Sequence, residues 1–216
     1  MIIFTFKHLL LALVLLHLIS CASTPNAPVT PEKFHGIASA HVLAQNPDLA
    51  PSTFFKVKEF EVDGLWEAMS LQLFVVGCMT SPTDEWTFRE DLFIYHRGEV
   101  IPFAIHFGGF GLTSASVHDG DLFYTYSWGS GIHRSHIGRV SLKSGQLEIS
   151  DSGGFIDYEL FIDSSNTVYD AKFKDFNSWS SEVELGSVRY SSNELPHLEV
   201  IGLDGSLIIS DFSPSP

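Results

Sequence analysis

Two cysteines in 216 residues exclude a disulfide framework as the main source of stability. Basic residues are also scarce: 12 Lys and Arg stand against 26 Asp and Glu, a formal net charge of −14. Binding to nucleic acid, or to anionic lipid through a cationic surface, needs clustered Lys and Arg, so this balance argues against both. Helical periodicity is nearly absent after residue 45, and no apolar run reaches the roughly 20 residues that a spanning helix needs. Disorder is excluded too, because 44% of residues are hydrophobic and only 18% charged. The length suits one globular domain with a short appendage.

The appendage lies at the start. Residues 1–20 hold fifteen apolar residues, one lysine (Lys7), two histidines and no acid. The run Leu9 to Ile19, interrupted only by His17, follows a basic residue and precedes small ones, the pattern of an export signal. It ends in Leu18-Ile19-Ser20-Cys21, which resembles the lipobox of bacterial lipoproteins: a branched apolar residue at −3, a small residue at −1 and a cysteine. Ile19 is bulkier than the usual residue at −2, and Lys7 alone makes a thin basic region. The resemblance covers residues 1–21. It implies a signal peptide at 1–20 and acylation of the Cys21 sulfur, with Cys21 as the mature N-terminus. Acyl chains then hold the protein to a membrane at about 0.8 kcal/mol per buried methylene. Ala22, in place of Asp after the cysteine, implies forwarding to the outer membrane with the domain facing the periplasm.

Prolines 25, 28 and 31 follow among small polar residues, so residues 21–33 read as an extended, solvated tether and 34–216 as a single domain. Loss of residues 1–20 removes Lys7, leaving 11 basic residues against 26 acidic ones, a net of −15. An anchored body this acidic is repelled by anionic headgroups and is suited to soluble partners. With Cys21 lipidated, no second cysteine is left for a disulfide to Cys78; its place in the apolar run Leu71 to Cys78 predicts a buried, inert thiol.

The remaining pattern is all-β. Short helices are expected at His35–Gln45 and Leu65–Met69. Thirteen strands are expected between Phe54–Val62 and Leu207–Ser210, separated by hairpin signals at Asp63-Gly64, Arg97-Gly98, Asp119-Gly120, Ser144-Gly145 and Asp204-Gly205. The strand units Leu71–Ile105, Leu122–Ile149 and Val168–Ile201 form a weak repeat whose first strands start 51 and 46 residues apart. The fold class is therefore an antiparallel meander in a propeller-like array of small sheets, about four blades, with a β-sandwich or an incomplete propeller of two or three sheets as the alternative. Leu73, Val75, Phe93, Tyr95, Phe123, Val140 and Ile201 are the expected core.

Motifs for chemistry are weak. His133 and His136 lie three apart, which on a strand places them on opposite faces, with no acidic or cysteine ligand close by; no metal or other cofactor is assigned. His118-Asp119-Gly120-Asp121 sits in a hairpin turn without calcium-loop spacing. Gly129-Ser130-Gly131 is not a nucleophile elbow, and Phe107 to Gly111 reads as a close-packed turn between blades, not a phosphate loop. No catalytic residue is assigned, and an enzyme is the less favoured class.

The candidate binding segment is 127–136, read as a loop. It gathers Trp128, His133, Arg134, His136 and two glycines in an acidic protein, and Trp and Arg are enriched at binding hot spots. Trp179, in a loop at 175–181, occupies the corresponding place in the next repeat. The expected function is a lipid-anchored, non-enzymatic module on the periplasmic side of the outer membrane that binds a soluble protein or glycan. An immunity-type inhibitor of a delivered toxin is its specific form. The alternative is a periplasmic hydrolase or lyase with a loop-built site.

Overall fold

The structure is a computed structural model that describes residues 27–47, 49, 52–83, 89–107, 111–128, 134–143, 145–152, 160–175, 178–191, 197–209 and 212–214. Cys21, His133 and residues 108–110 lie outside these.

Among the described residues, fourteen strands form three antiparallel sheets, each laid down largely in chain order. The first joins β1 (Phe54–Phe60), β2 (Leu71–Met79), β3 (Arg89–His96) and β4 (Glu99–Phe107). The second joins β5 (Gly111–His118), β6 (Asp121–Trp128), β7 (Arg134–Lys143) and β8 (Gln146–Ser152). The third joins β9 (Leu160–Ile162), β10 (Thr167–Asp175), β11 (Ser178–Ser191), β12 (His197–Gly202) and β13 (Leu207–Ile209). A last strand, β14 (Phe212–Pro214), returns to pair with β8 on the outer edge of the second sheet. The all-β expectation is met, and the three repeat units each fall within one sheet. Two helices stand among the described residues: α1 (Pro31–Gln45) and α2 (Leu65–Met69).

The layers stack in the order α1, first sheet, second sheet, third sheet. One core cluster lies between the first two sheets and holds Leu71, Leu73, Leu92 and Ile94 against Leu122, Tyr124 and Val140. A second, between the second and third sheets, holds Phe123 and Ile137 against Leu160, Ile162, Val168, Leu198 and Val200. A third seals the outer face of the first sheet with Phe34, Ala38 and Val42 of α1. Their four-residue spacing puts them on one helical stripe, and Phe34 stacks on Phe74 with centroids 4.0 Å apart. A strand covered on both faces needs no polar alternation, which is why β2 is almost continuously apolar and buried, Cys78 included. Residues of the first and third sheets share no core cluster, so ring closure is absent among the described residues.

Turn chemistry sets the hairpins. Arg97-Gly98 and Asp119-Gly120 have positive φ at both positions, the geometry of two-residue turns whose twist matches the strands.

Four of the seven expected core residues, Leu73, Phe93, Phe123 and Val140, are at most 2% exposed. Val75 and Tyr95 are only partly buried, packed at the margins of the first and third clusters. Ile201 is also only partly buried: Leu198 and Val200 point into the core, and the two-residue period turns Ile201 to the opposite face. Helix α1 begins four residues earlier than the sequence pattern predicts. Thr30 is its N-cap, accepting from Lys33 N, and Pro31 sits where a missing N–H costs nothing.

Candidate functional site

The connection between the second and third sheets fixes which loops share an end of the molecule. Strand β9 pairs with β10 along one edge, through Leu160↔Asp170 and Ile162↔Val168. Its other edge has no strand partner among the described residues and is met by hydroxyls of the second sheet. Leu160 N donates to Ser135 Oγ at 3.1 Å, Ile162 N donates to Ser114 Oγ at 2.9 Å, and Leu160 O accepts from Thr113 Oγ1 at 3.1 Å. A bulge between Leu112 and Ser114 brings Thr113 and Ser114 to the same neighbour: both hydroxyls lie within hydrogen-bonding distance of Thr125 Oγ1, at 2.7 and 2.6 Å. Ser127 and Ser135 complete this row at 3.0 Å.

Because Leu160 lies level with Ser135 and Ile162 level with Ser114, moving from Ile162 to Leu160 runs toward Trp128 in the second sheet. The same step runs from Val168 toward Asp175 in the third. The β6–β7 and β10–β11 hairpins therefore emerge from one end of the stack. The first sheet is aligned with them, since β4 ends at Phe107 and β5 begins at Gly111, where a side chain would strike the Glu90 carboxylate. That end carries the strand ends Met79, Arg89, Trp128 and Arg134; the opposite end carries the tight turns 97–98 and 119–120 and the strand ends Lys143 and Gln146. We call these the loop end and the turn end.

The sequence-predicted binding residues distribute as follows. Trp128 is the last residue of β6 and pairs with Arg134, the first of β7, so both belong to the ladder and not to a loop. His136 stacks on Tyr126, ring centroids 5.2 Å apart, on the face toward the first sheet. Trp179 also departs from expectation. The loop predicted at 175–181 is mostly strand: β11 starts at Ser178, and Trp179 pairs with Phe173. Serine-rich sequence hides the strand because cross-strand pairing, not propensity, holds it. The ladder positions of Trp128, Arg134 and Trp179 all fall at the loop end. His133 lies outside the described residues.

At the turn end the sequence reading missed a feature. The chain enters the body through Val29, whose N–H donates to Gln72 Oε1 at 2.7 Å and whose carbonyl accepts from Gln72 Nε2 at 3.0 Å. The side-chain amide thus pairs with the backbone as a neighbouring strand would. Gln72 Nε2 also donates to Glu59 Oε1 at 2.8 Å. Pro28 and Gln72 line a cleft of about 370 Å³ beside α2, walled by Phe60 and Trp66 and carrying Glu59, Glu61, Asp63 and Glu67. Among the described residues no Lys or Arg pairs with these four carboxylates. The one signal of this clamp in the sequence is a glutamine inside an apolar run, a buried polar group that requires a partner.

Burial also holds an ion pair within the second sheet, between β6 and β7. Arg139, 3% exposed, donates from Nε to Asp121 Oδ2 at 2.7 Å and from a terminal nitrogen to Ser141 Oγ at 3.0 Å. Burial also acts on the Asp163 carboxyl in the β9–β10 turn, pushing its pKa upward. Hydrogen bonds from the Ser165 hydroxyl and from the Thr167 and Ser165 amides outweigh it and hold the group below the ordinary carboxylate value.

Comparison with protein-family models, with curated proteins and with solved structures finds no match.

Proposed function

We propose that this chain is an outer-membrane-anchored periplasmic lipoprotein acting as a non-enzymatic module that binds a soluble protein, its three sheets serving as a propeller-like scaffold. The observation that carries the binding part is the convergence of the β6–β7 and β10–β11 hairpins at one end of a stack braced by the hydroxyl row on β9. Loops on a rigid β-scaffold, clustered at one end, are a common recognition architecture. Trp128, Arg134 and Trp179 bring to that end residue types favoured at binding hot spots. The anchor rests on Leu18, Ser20 and Cys21 after the apolar run. A narrower form is an immunity-type inhibitor of a toxin delivered to the periplasm, for which an effector gene beside this one is the expected genomic neighbour.

Two experiments test it. Cys21→Ser, expressed as the full chain, abolishes fatty-acid labelling and moves the protein out of the membrane fraction; normal labelling of the variant refutes the anchor. Affinity capture from periplasmic extract recovers a partner that is lost with the Trp128→Ala/Arg134→Ala variant. Equal recovery by a well-folded double variant places recognition elsewhere.

A further inference from the structure

From the clamp at Val29 we infer that the loop end is the membrane-distal pole of the anchored protein, so that a partner meets it from solution and not from the lipid surface. The inference deepens the lipoprotein reading and rests on it. Gln72, which holds Val29 through the oxygen and the nitrogen of its side-chain amide, pairs across the first sheet with Tyr95, next to the Arg97-Gly98 turn. The point where the tether joins the body is therefore fixed at the turn end. Val29 follows Cys21 by eight residues, a leash of at most about 28 Å at full extension. The body is taller than the leash is long: the ten residues of β7 alone span about 33 Å. The loop end reaches the lipid only if the whole stack tips over, and an excess of 15 negative charges in the mature chain opposes laying it against anionic headgroups.

Reading the height of each pole above a bilayer tests this. The acylated protein is reconstituted into phosphatidylcholine vesicles containing 20% phosphatidylglycerol and a headgroup quencher. A fluorophore is attached at Pro82→Cys, in the 80–88 connection at the loop end, or at Glu99→Cys, at the start of β4 on the turn end. Both positions are exposed, the thioether blocks Cys21, and Cys78 is buried. The label at 99 is expected to be quenched at least threefold more than the label at 82. Adding twenty Gly-Ser residues after Ala22 should narrow that difference by freeing the leash. Equal quenching at the two sites, or stronger quenching at 82, overturns the inference while leaving the anchor intact. A chain that fails to co-sediment with the vesicles refutes the anchor reading, and the inference falls with it. In the unmodified protein the Val29 amide should exchange slowly with solvent, and Gln72→Ala should accelerate it at least tenfold; rapid exchange without that substitution also refutes the fixed entry point.

Discussion

Replacing Ser135 by alanine isolates the hydroxyl row that joins the third sheet to the second. Ser135 is fully buried; its Oγ accepts from Leu160 N and lies 3.0 Å from Ser127 Oγ. Removing it leaves the N–H of Leu160, itself 0% exposed, without an acceptor and without access to water. An unsatisfied buried donor costs about 1–3 kcal/mol, more than the 0.5–1.5 kcal/mol net of an ordinary hydrogen bond. Ser127→Ala is the natural comparison. It deletes the neighbouring hydroxyl but leaves Leu160 its acceptor, so its cost belongs in the lower range. For a body of this size 1 kcal/mol corresponds to a midpoint shift of roughly 2–4 °C, so Ser135→Ala should melt about 2–12 °C lower. Urea titration with an unchanged slope measures the loss, and hydrogen exchange locates it: the Leu160 amide should lose protection in Ser135→Ala and retain it in Ser127→Ala. Equal losses for the two variants, or an unchanged Leu160 amide in Ser135→Ala, would show that the row does not bear on sheet association.

Three further outcomes are expected. Phe34→Ala, which empties the stacking site on Phe74, should destabilise by about 3–5 kcal/mol and leave the β-sheet signal of the folded fraction unchanged in far-UV circular dichroism. Because the Asp163 pKa is lower folded than unfolded, its stabilisation is complete above the unfolded value near 4 and is lost as pH falls through the folded value; protection of the Ser165 and Thr167 amides should fade on acidification below pH 4, and Asp163→Asn should remove that pH dependence. Trp128→Ala and Arg134→Ala should each weaken a captured partner by about 1–3 kcal/mol with little change in thermal midpoint, whereas a large drop in midpoint with normal binding would mark the hairpin as structural.

The strands were legible wherever burial and turns wrote a local pattern. Asp119-Gly120 between two alternating runs specifies its hairpin, and the continuous run Leu71 to Met79 announces a strand covered on both faces. Features held by distant partners were not legible. The start of helix α1 is ambiguous in sequence because Thr30-Pro31 opens a helix as readily as it continues a tether. Strand β14 has three residues, ends in Pro214 and pairs with residues sixty positions away, so no local period marks it. The Ser-Trp-Ser-Ser stretch of β11 looks like a loop until its pairing with β10 is known. Likewise, nothing near Ser114 in sequence reveals that its hydroxyl serves a backbone amide 48 residues on, and the Gln72 clamp spans 43.

The return of β14 to the edge of β8 makes the architecture nested. Strands β9 to β13, the whole third sheet, form an excursion between two strands that are neighbours in the second. Closing the Ser152–Phe212 pairing from an open chain would mean gathering a sixty-residue loop, an entropic demand that disappears once the third sheet has condensed against the hydroxyl row. The outermost layer thus prepares the completion of the middle one. Until β14 arrives, β8 presents a free strand edge, which makes that edge a point at which an assembling chain is open to pairing with another copy of itself.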